Sequence, residues 1–304
     1  IHRAHEYITK TALEICDEKQ PAGDGDHGLD EAVHLLLDQL GCVLEAGFIE
    51  LDDLAGSVDQ EPGDPDIHIR EGVNNATIDL KKDEFELYYN GYANEVLWPL
   101  FHYFQRSMRY ASEQRDAYEN VNRTFAQKLA PLLNPDDVIW VHDYHLIPLG
   151  RRLRELGVRR PLGFFLHIPF PNIEMLRVLP AYAELLRDLT SYDVVGFQTL
   201  NDLRSFHSGI EHLCGPEALR GDGRIRVGDR TMRADVFPIG IDVPSVESEA
   251  LEASQAEVVK RMTDSLMGRA LMIGVDRLDY SKGLVERFQA YQQFLETYPD
   301  NLGR

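Results

Sequence analysis

The chain contains VIWVHDYHL (138–146), LGFFLHIPFP (162–171) and VVGFQT (194–199), three short apolar runs that each end in polar residues. Two further apolar runs, ADVFPIG (234–240) and LMIGV (271–275), repeat the scheme. The text between consecutive runs has apolar residues at helical spacing. Short apolar strands that alternate with helices are typical of a parallel sheet covered on both faces. The sequence therefore predicts an α/β fold built on a parallel sheet.

Polar or ionisable side chains follow all five predicted strands. In doubly wound sheets, ligands bind beyond the carboxyl ends of the strands, so these side chains are the first candidates for a site. They are His142 to His145, His167, Gln198 with Thr199, Asp242, and Asp276 to Lys282. A structural protein has no reason to place such groups at five successive strand ends, so the pattern indicates binding or catalysis.

Arg277 and Lys282 lie in a loop that ends at Gly283 and precedes a predicted helix. Two cations beside the amides of a helix N-terminus suit a diphosphate group and need no metal ion. The alternative is that both are surface residues that pair with Asp276 and Asp279. The residues alone leave both interpretations open.

Asp143 and His167 each follow an apolar run, so a carboxylate and an imidazole are expected at adjacent strand ends. Such a pair can orient a polyhydroxylated substrate or share a proton during a reaction. The alternative is that both satisfy the core or cap a helix. His142 and His145 flank Asp143 at a spacing that suggests a metal only weakly, and we expect no metal site.

The segment DEFELYYNGYANEVLWPLFHYF (83–104) is dense in aromatic residues and is predicted to be helical. Tyr88, Tyr89 and Trp98 can form a stacking wall for a sugar ring or belong to the core. We expect two of the three to be core residues.

Six segments, in this order, resemble the trehalose-6-phosphate synthase family of retaining GT-B glycosyltransferases. They are NGYANEVLWPLFHY (90–103), VIWVHDYHLIPL (138–149), GFFLHIPFP (163–171), DVVGFQT (193–199), FPIGID (237–242) and GVDRLDYSKGL (274–284). The resemblance runs from about residue 83 to residue 304. It implies a GT-B-type Rossmann-like sheet and transfer of glucose from UDP-glucose to glucose 6-phosphate with retention.

The resemblance also implies roles for individual side chains and no cofactor. Donor diphosphate binding is implied for Arg277 and Lys282, catalysis beside the sugars for His167 and Asp143, and acceptor sugar binding for Tyr89, Trp98 and Asp143. Catalysis then consists of positioning the sugars and stabilising the departing diphosphate. A relative that makes glucosylglycerol phosphate, or that uses ADP- or GDP-glucose, stays open.

The net charge of −20 is concentrated in residues 1–80. They hold 19 acidic and 4 basic side chains, and their aromatic residues are Tyr7 and Phe48 alone. This change in composition predicts a boundary near residue 80. The acidic surface also argues against nucleic acid as a partner, which requires a basic footprint.

Composition and resemblance together predict three segments. Residues 1–80 are expected to be an acidic helical segment of unknown origin. Residues 81–245 are expected to form the N-terminal Rossmann-like domain on the acceptor side. Residues 246–304 are expected to form a linker helix and the start of the C-terminal nucleotide-sugar domain.

Residues 1–80 do not match the family motifs and allow three interpretations. They are a divergent start without function, an acidic interaction module, or a segment similar to zinc-dependent phospholipase C-like proteins. The last interpretation rests on HEYITKTAL (5–13) and on GSVDQEP (56–62) followed by DIH (66–68). It makes His5, Asp59 and His68 candidate zinc ligands, which are too few to close a zinc site.

Two parts of the family pattern are not found in the sequence. They are the opening strand with its Asn-Arg pair and Gly-Gly loop, and most of the second domain after Arg304. We therefore expect a partial enzyme with little or no synthase activity. The alternatives are an inactive fragment that only binds sugar phosphate and a zinc-hydrolase-like module fused to the enzyme.

The sequence also predicts where the protein acts. Its cysteines, Cys16, Cys42 and Cys214, are far apart and without a CxxC pair, which indicates buried thiols in a reducing cytoplasm. No charged-then-apolar signal segment opens the chain, and no apolar run reaches the ~18 residues of a membrane helix. We expect a cytoplasmic protein without a membrane partner, and homo-oligomer formation stays open.

Overall fold

The computed structural model describes residues 13–16, 66–70 and 73–303, with side chains from residue 76 onward. The chain divides into two compact units, Ile1–Pro238 and Ile239–Arg304. The segment boundaries that the sequence predicts near residues 80 and 245 stay predictions.

Within the described part of the first unit, six strands form one sheet. They are β1 (Leu13–Cys16), β4 (Val138–His142), β5 (Leu162–Phe165), β6 (Val194–Phe197), β7 (Arg224–Val227) and β8 (Arg230–Val236). Their order is β1-β4-β5-β6-β8-β7, with β4, β5, β6 and β8 parallel and with antiparallel β1 and β7 at the two edges. The strands β2 (Asp66–Arg70) and β3 (Val73–Thr77) form a separate antiparallel pair. The predicted parallel α/β sheet is therefore confirmed.

The three central strands are rich in apolar residues because they lie in the core of the unit. All residues of β4, β5 and β6 are buried. Gly196 of β6 is required by close packing, since a Cβ atom there would lie 2.6 Å from the ring of Phe165 on the neighbouring strand. This contact fixes the end of β5, just before His167.

The helices of the first unit begin with the aromatic segment, which is helical as predicted. Its parts are α1 (Lys82–Phe85), a π-helix (Glu86–Leu97) and α2 (Trp98–Phe101), and the other helices are α3 (Ser112–Leu129), α4 (Leu149–Glu155), α5 (Ile173–Leu176), α6 (Tyr182–Leu189) and α7 (Leu200–Cys214). The backbone N–H of Trp98 donates to the carbonyl of Ala93, the five-residue spacing of a π-helix.

The buried Tyr192 joins α4 to the sheet. Its hydroxyl donates to the backbone oxygens of Leu146 and Ile147, at 3.0 and 3.1 Å, and accepts from the N–H of Gly150 at 2.9 Å. A Cβ atom at position 150 would lie 2.5 Å from this ring, so glycine is required. The turn after β4 is therefore fixed by hydrogen bonds to Tyr192, which precedes β6.

Within residues 1–80, the described segment Leu13–Cys16 is a strand, where a helical segment is expected. In β1, LEIC alternates apolar and polar residues and pairs with β4 in the register Leu13 to Val141. Pairing with the edge of the sheet overrides the local helical spacing, because strand formation depends on the neighbour that a segment finds. This edge strand occupies the place beside β4.

The predicted metal ligands of this segment are for the most part not described. His5 and Asp59 lie outside the described residues, as does Cys42. His68 lies in β2, where its backbone is opposite Asn75. Cys214, at the end of α7, is a free thiol.

Two predicted strands differ from the structure for identifiable reasons. The run 234–240 ends its pairing early, because Pro238 has no N–H and the last sheet bond is from Phe237 to the carbonyl of Phe197, at 2.9 Å. The run 271–275 belongs to no strand or helix. Within the described part of the second unit it finds no neighbouring strand to bond with, and a strand needs one.

The described part of the second unit contains helices and the loop that holds Arg277 and Lys282. Its helices are α8 (Val243–Ser254), α9 (Glu257–Leu266) and α10 (Leu284–Thr297), with 3₁₀ turns at Tyr280–Lys282 and Pro299–Asn301. Asp242 caps α8 by accepting from the N–H of Ser245 at 3.3 Å. None of the helices between residues 82 and 303 has both the length and the apolar composition that a membrane crossing requires.

Candidate active site

The parallel order of β4, β5 and β6 brings the polar strand ends of the first unit to one edge. Asp143 follows β4, His167 comes shortly after β5, and Gln198 follows β6. The structure places Asp143 and His167 side by side, and the backbone N–H of His167 donates to Asp143 Oδ1 at 3.4 Å. We call His142, Asp143 and His167 the strand-end cluster.

Asp143 has an unusual backbone conformation, with φ 67° and ψ 168°. This left-handed region is sparsely populated by side chains other than glycine and carries strain. Two bonds hold it: the Asp143 N–H donates to the carbonyl of Phe165 at 2.8 Å, and its carbonyl accepts from Leu146 at 3.2 Å. With this conformation the chain changes direction sharply after β4 and enters the turn that contains Tyr144.

Burial raises the pKa of the Asp143 carboxyl to about 7. The backbone N–H groups of Tyr144 and His167 bond to it and oppose that rise, but burial dominates. Near neutral pH this carboxyl is therefore present in both its protonated and its ionised form. It can accept a hydrogen bond from a substrate hydroxyl or exchange a proton with it.

The two histidines of the cluster contact each other through their ring nitrogens. His142 Nδ1 lies 2.9 Å from His167 Nε2. His142 is buried, its ring stacks on Trp140, and burial lowers its pKa to about 3. Partial desolvation of the His167 ring lowers its pKa as well, so both imidazoles are neutral at pH 7.

Of the three aromatic candidates, Tyr88 and Tyr89 are buried and Trp98 is partly exposed. Two of the three therefore belong to the core, as predicted. Tyr89 lies between the rings of Phe85 and His145, at centroid distances of 5.0 and 5.3 Å. Trp98 lies 5.8 Å from the ring of Tyr144 and so borders the turn after Asp143.

The turn after Asp143 is tied to the π-helix and to α3. The Tyr144 hydroxyl donates to Asn94 Oδ1 at 2.9 Å, and the Tyr118 hydroxyl donates to the carbonyl of Tyr144 at 2.6 Å. The ring of His145 is fully buried, and burial lowers its pKa to about 3. Asn94 and Tyr118 are positioning groups that the sequence did not reveal.

The loop after His167 is fixed at two points. The backbone N–H of Phe170 donates to Asp202 Oδ1 at 2.9 Å, and the N–H of Asn172 donates to the Tyr103 hydroxyl at 3.2 Å. Asp202 is buried at the start of α7, where its own N–H donates to Thr199 Oγ1. The sequence signal for this contact was T-L-N-D (199–202), which has the spacing of a capping box.

The second unit presents the predicted cation loop, residues 276–283. Asp276 pairs with Arg287, and Asp279 accepts from the Ser281 N–H at 2.8 Å. The two acids thus have structural partners inside the unit. Arg277 and Lys282 are both exposed.

Gly283 links the cation loop to the first turn of α10. Its φ of 62° lies in the left-handed region, which glycine adopts without strain. The loop therefore leads directly into a helix N-terminus, whose free amides favour an anion. Within the described residues, no group of three His, Cys, Asp or Glu side chains is arranged to hold a metal ion.

A mostly parallel sheet with polar groups at its strand ends and a separate cation loop define the class: an α/β fold of the GT-B glycosyltransferase type. The family model of glycosyltransferase family 20 matches residues 54–304. The chain belongs to glycosyltransferase family 20.

Individual relatives agree with this assignment. The trehalose-6-phosphate synthase of Sinorhizobium fredii is 41% identical over 285 residues, which cover 93% of this chain and 59% of the relative. That of Sodalis glossinidius is 40% identical over 248 residues, 82% of this chain and 52% of the relative. The chain thus spans between half and three-fifths of the length of these relatives. Because the first alignment covers 93% of the chain, the similarity reaches into the segment 1–80.

Solved structures show the same relationship. An α,α-trehalose-phosphate synthase (UDP-forming) from Burkholderia xenovorans, in complex with glucose 6-phosphate, matches with a TM-score of 0.79 at 39% identity. The match covers 93% of this chain and 61% of that one. A second UDP-forming synthase structure from the same organism has a TM-score of 0.77 at 44% identity, covering 82% of this chain and 56% of that one.

Proposed function

We propose that this chain is the acceptor-side part of an enzyme that transfers glucose from UDP-glucose to glucose 6-phosphate with retention. The observation that carries the proposal is the contact between Asp143 and His167 at adjacent strand ends, in a chain of this family. Related proteins support the substrates, since one structure contains glucose 6-phosphate and another, from E. coli, contains UDP-2-fluoroglucose.

On the acceptor side, Asp143 binds a hydroxyl of glucose 6-phosphate. Because its pKa is about 7, the carboxyl is partly protonated near neutral pH. It can therefore accept a hydrogen bond from that hydroxyl without carrying a full buried charge. Trp98 borders this region as an apolar face, which suits the C–H side of a sugar ring. Tyr89 supports the region from the core, because its ring is covered by Phe85 and His145. His167 lies beside Asp143 and contacts the transferred glucose.

On the donor side, Arg277 and Lys282 hold the diphosphate of UDP-glucose. As the bond from the anomeric carbon to the diphosphate breaks, negative charge develops on the leaving oxygen, and two cations with a helix N-terminus stabilise it. These roles require neither a metal ion nor a cofactor. We further propose that residues 81–245 form the acceptor-side domain and residues 246–304 begin the nucleotide-sugar domain. Cytoplasmic location and assembly into oligomers stay predictions.

The test is UDP release from UDP-glucose, measured with and without glucose 6-phosphate. Release that requires glucose 6-phosphate and is lost in Arg277→Ala supports the proposal. Arg269→Ala is the matched control, because Arg269 is an exposed arginine of the same unit that bonds to the carbonyl of Leu266. Release that does not depend on glucose 6-phosphate contradicts the proposed acceptor.

A second candidate function is binding of sugar phosphate without transfer, and it is favoured by the position of Asp143, His167 and Trp98 together in the first unit. Calorimetric titration with glucose 6-phosphate separates the two. Binding that is lost in Asp143→Ala, without UDP release, supports this second candidate. The absence of both binding and release contradicts both candidates.

A further inference from the structure

His142 is a buried titratable group to which the proposed reaction assigns no role. It is the last residue of β4 and is 5% exposed. Its ring lies 5.0 Å from the ring of Trp140 and 6.5 Å from that of Phe165, both apolar neighbours. Its polar contact is with His167, the residue that the proposal places beside the transferred sugar.

The two imidazoles meet edge to edge. Their nearest nitrogens, His142 Nδ1 and His167 Nε2, are 2.9 Å apart, while the ring centroids are 5.1 Å apart with planes inclined by 27°. The centroid distance exceeds the distance between the nitrogens by about the radii of two rings, so the nitrogens lie between the rings. This is the geometry of a hydrogen bond in the ring plane. One nitrogen must therefore donate and the other accept.

The far nitrogen of His142 decides which ring donates. His142 Nε2 is buried and has no hydrogen-bond partner in the part of the chain with described side chains. The ring is neutral, since burial and the neighbouring His167 hold its pKa near 3, so it carries a single proton. A proton on Nε2 would be a buried donor without an acceptor, which is rare and costly in proteins. A proton on Nδ1 is used in the bond to His167.

We propose that His142 is a positioning residue that holds His167 in one tautomer, with Nε2 as the acceptor and the proton on Nδ1. The exposed His167 then presents an N–H donor and no basic nitrogen to a ligand at the sheet edge. Together with the carboxyl of Asp143, this places one fixed donor beside one acceptor. The consequence for catalysis rests on the proposed function, because it requires a sugar oxygen as the partner of that donor.

The direct test is long-range ¹H–¹⁵N NMR of the full chain labelled with ¹⁵N-histidine. The expected spectrum shows a protonated Nδ1 and a bare Nε2 for both His142 and His167. A His167 that is protonated at Nε2 overturns the proposal. Signals are assigned by their loss in His142→Asn and His167→Ala.

Two substitutions of His142 distinguish the effect of its hydrogen-bond donor on His167 from the effect of its size. His142→Asn keeps an amide donor where Nδ1 stands, and we expect His167 to stay protonated at Nδ1. His142→Leu keeps an apolar side chain without a donor, and we expect His167 to revert to protonation at Nε2, the form that free histidine favours. His207→Asn is the matched control, because His207 is a partly buried histidine of α7 and its replacement leaves the signals of His167 unchanged.

The outcomes are distinct. If His142→Leu does not fold, the spectra of the unmodified chain and of His142→Asn still decide the tautomer. Retention of the Nδ1 proton by His167 in a folded His142→Leu overturns the proposal. The expected spectra, combined with neither UDP release nor binding of glucose 6-phosphate, refute the proposed function and leave the role of His142 in fixing the tautomer intact.

Discussion

The strand-end cluster and the cation loop hold their side chains by different means. In the cluster, Asp143 has a strained backbone fixed by two backbone bonds, and His142 is buried against Trp140. In the loop, Arg277 and Lys282 are exposed, and local contacts of neighbouring acids shape the backbone. Under the proposed function, substitutions in the cluster are therefore expected to change both stability and chemistry, whereas substitutions in the loop are expected to change donor binding alone.

The largest expected effect compares an aromatic residue of the loop after His167 with one of α10, the helix that follows the cation loop. Phe170 of this loop is fully buried, against Phe101, Phe197 and Phe206. We expect Phe170→Ala to lower the free energy of unfolding by about 3–5 kcal/mol, through lost burial and a cavity. Phe288 of α10 is 73% exposed, and Phe288→Ala should change it by about 0.5 kcal/mol or less. Urea titration followed by circular dichroism measures both, and equal losses would break the contrast.

The next effect compares two carboxylates that accept backbone hydrogen bonds. Asp202 is buried and accepts from Phe170, so Asp202→Ala should lower the free energy of unfolding by about 1.5–3 kcal/mol. Asp279 caps an exposed turn, and Asp279→Ala should lower it by about 0.5–1 kcal/mol. Asp202→Asn, which keeps an acceptor oxygen, serves as control and should lose less than Asp202→Ala. The same urea titrations apply, and an Asp279→Ala loss above that of Asp202→Ala would reverse the order.

A third effect sharpens the contrast through the buried charge of Asp143. Its folded-state pKa of about 7 lies above the ordinary value of 3.8, so the folded protein keeps a proton that the unfolded chain has lost. Protonated Asp143 therefore contributes to the stability of the folded protein at low pH, and this contribution is lost as the pH rises toward 7. We expect Asp143→Asn to gain about 1–2 kcal/mol relative to the unmodified protein between pH 5 and pH 8, discounted because the residue is partly exposed.

Unfolding free energies at pH 5, 6, 7 and 8 check this third prediction. Other buried groups, such as Asp188, titrate equally in both proteins and cancel in the difference. A difference that stays constant over this range, or falls, would show that Asp143 is not held with a raised pKa.

The smallest effect on stability is expected in the cation loop. Lys282→Ala should change the free energy of unfolding by less than about 0.5 kcal/mol, because the residue is exposed. Under the proposed function it should weaken binding of UDP all the same. Lys260→Ala, an exposed lysine of α9, is the control. Calorimetric titration with UDP measures the change, and equal UDP affinities for the two variants would remove Lys282 from the diphosphate site.

The central sheet and its polar edge were predictable because their signals are local. The runs that became β4, β5 and β6 are short, apolar and buried at every residue, and parallel strands bring their ends to one edge. The adjacency of Asp143 and His167 follows from that rule and from the order of the strands. The early end of β8 was visible as Pro238, which cannot donate to a sheet.

Other features were not predictable because they depend on partners distant in the chain. The strand at Leu13–Cys16 forms only through pairing with β4, and the run at 271–275 fails to form one for lack of a neighbour among the described residues. The contact between His142 and His167 depends on the register Phe165 to His142 across two strands. Sequence spacing carries no information on ring orientation at such a contact.

The placement of the tryptophans gives the protein a built-in optical reporter. The chain contains two, Trp98 and Trp140, and both lie in the first unit. Trp98 lies 4.0 Å from the ring of His102, and Trp140 lies 5.0 Å from that of His142. Tryptophan fluorescence, excited selectively over that of tyrosine, therefore originates beside imidazoles of the first unit. Emission spectra can follow the ring environment of the strand-end cluster without an added label.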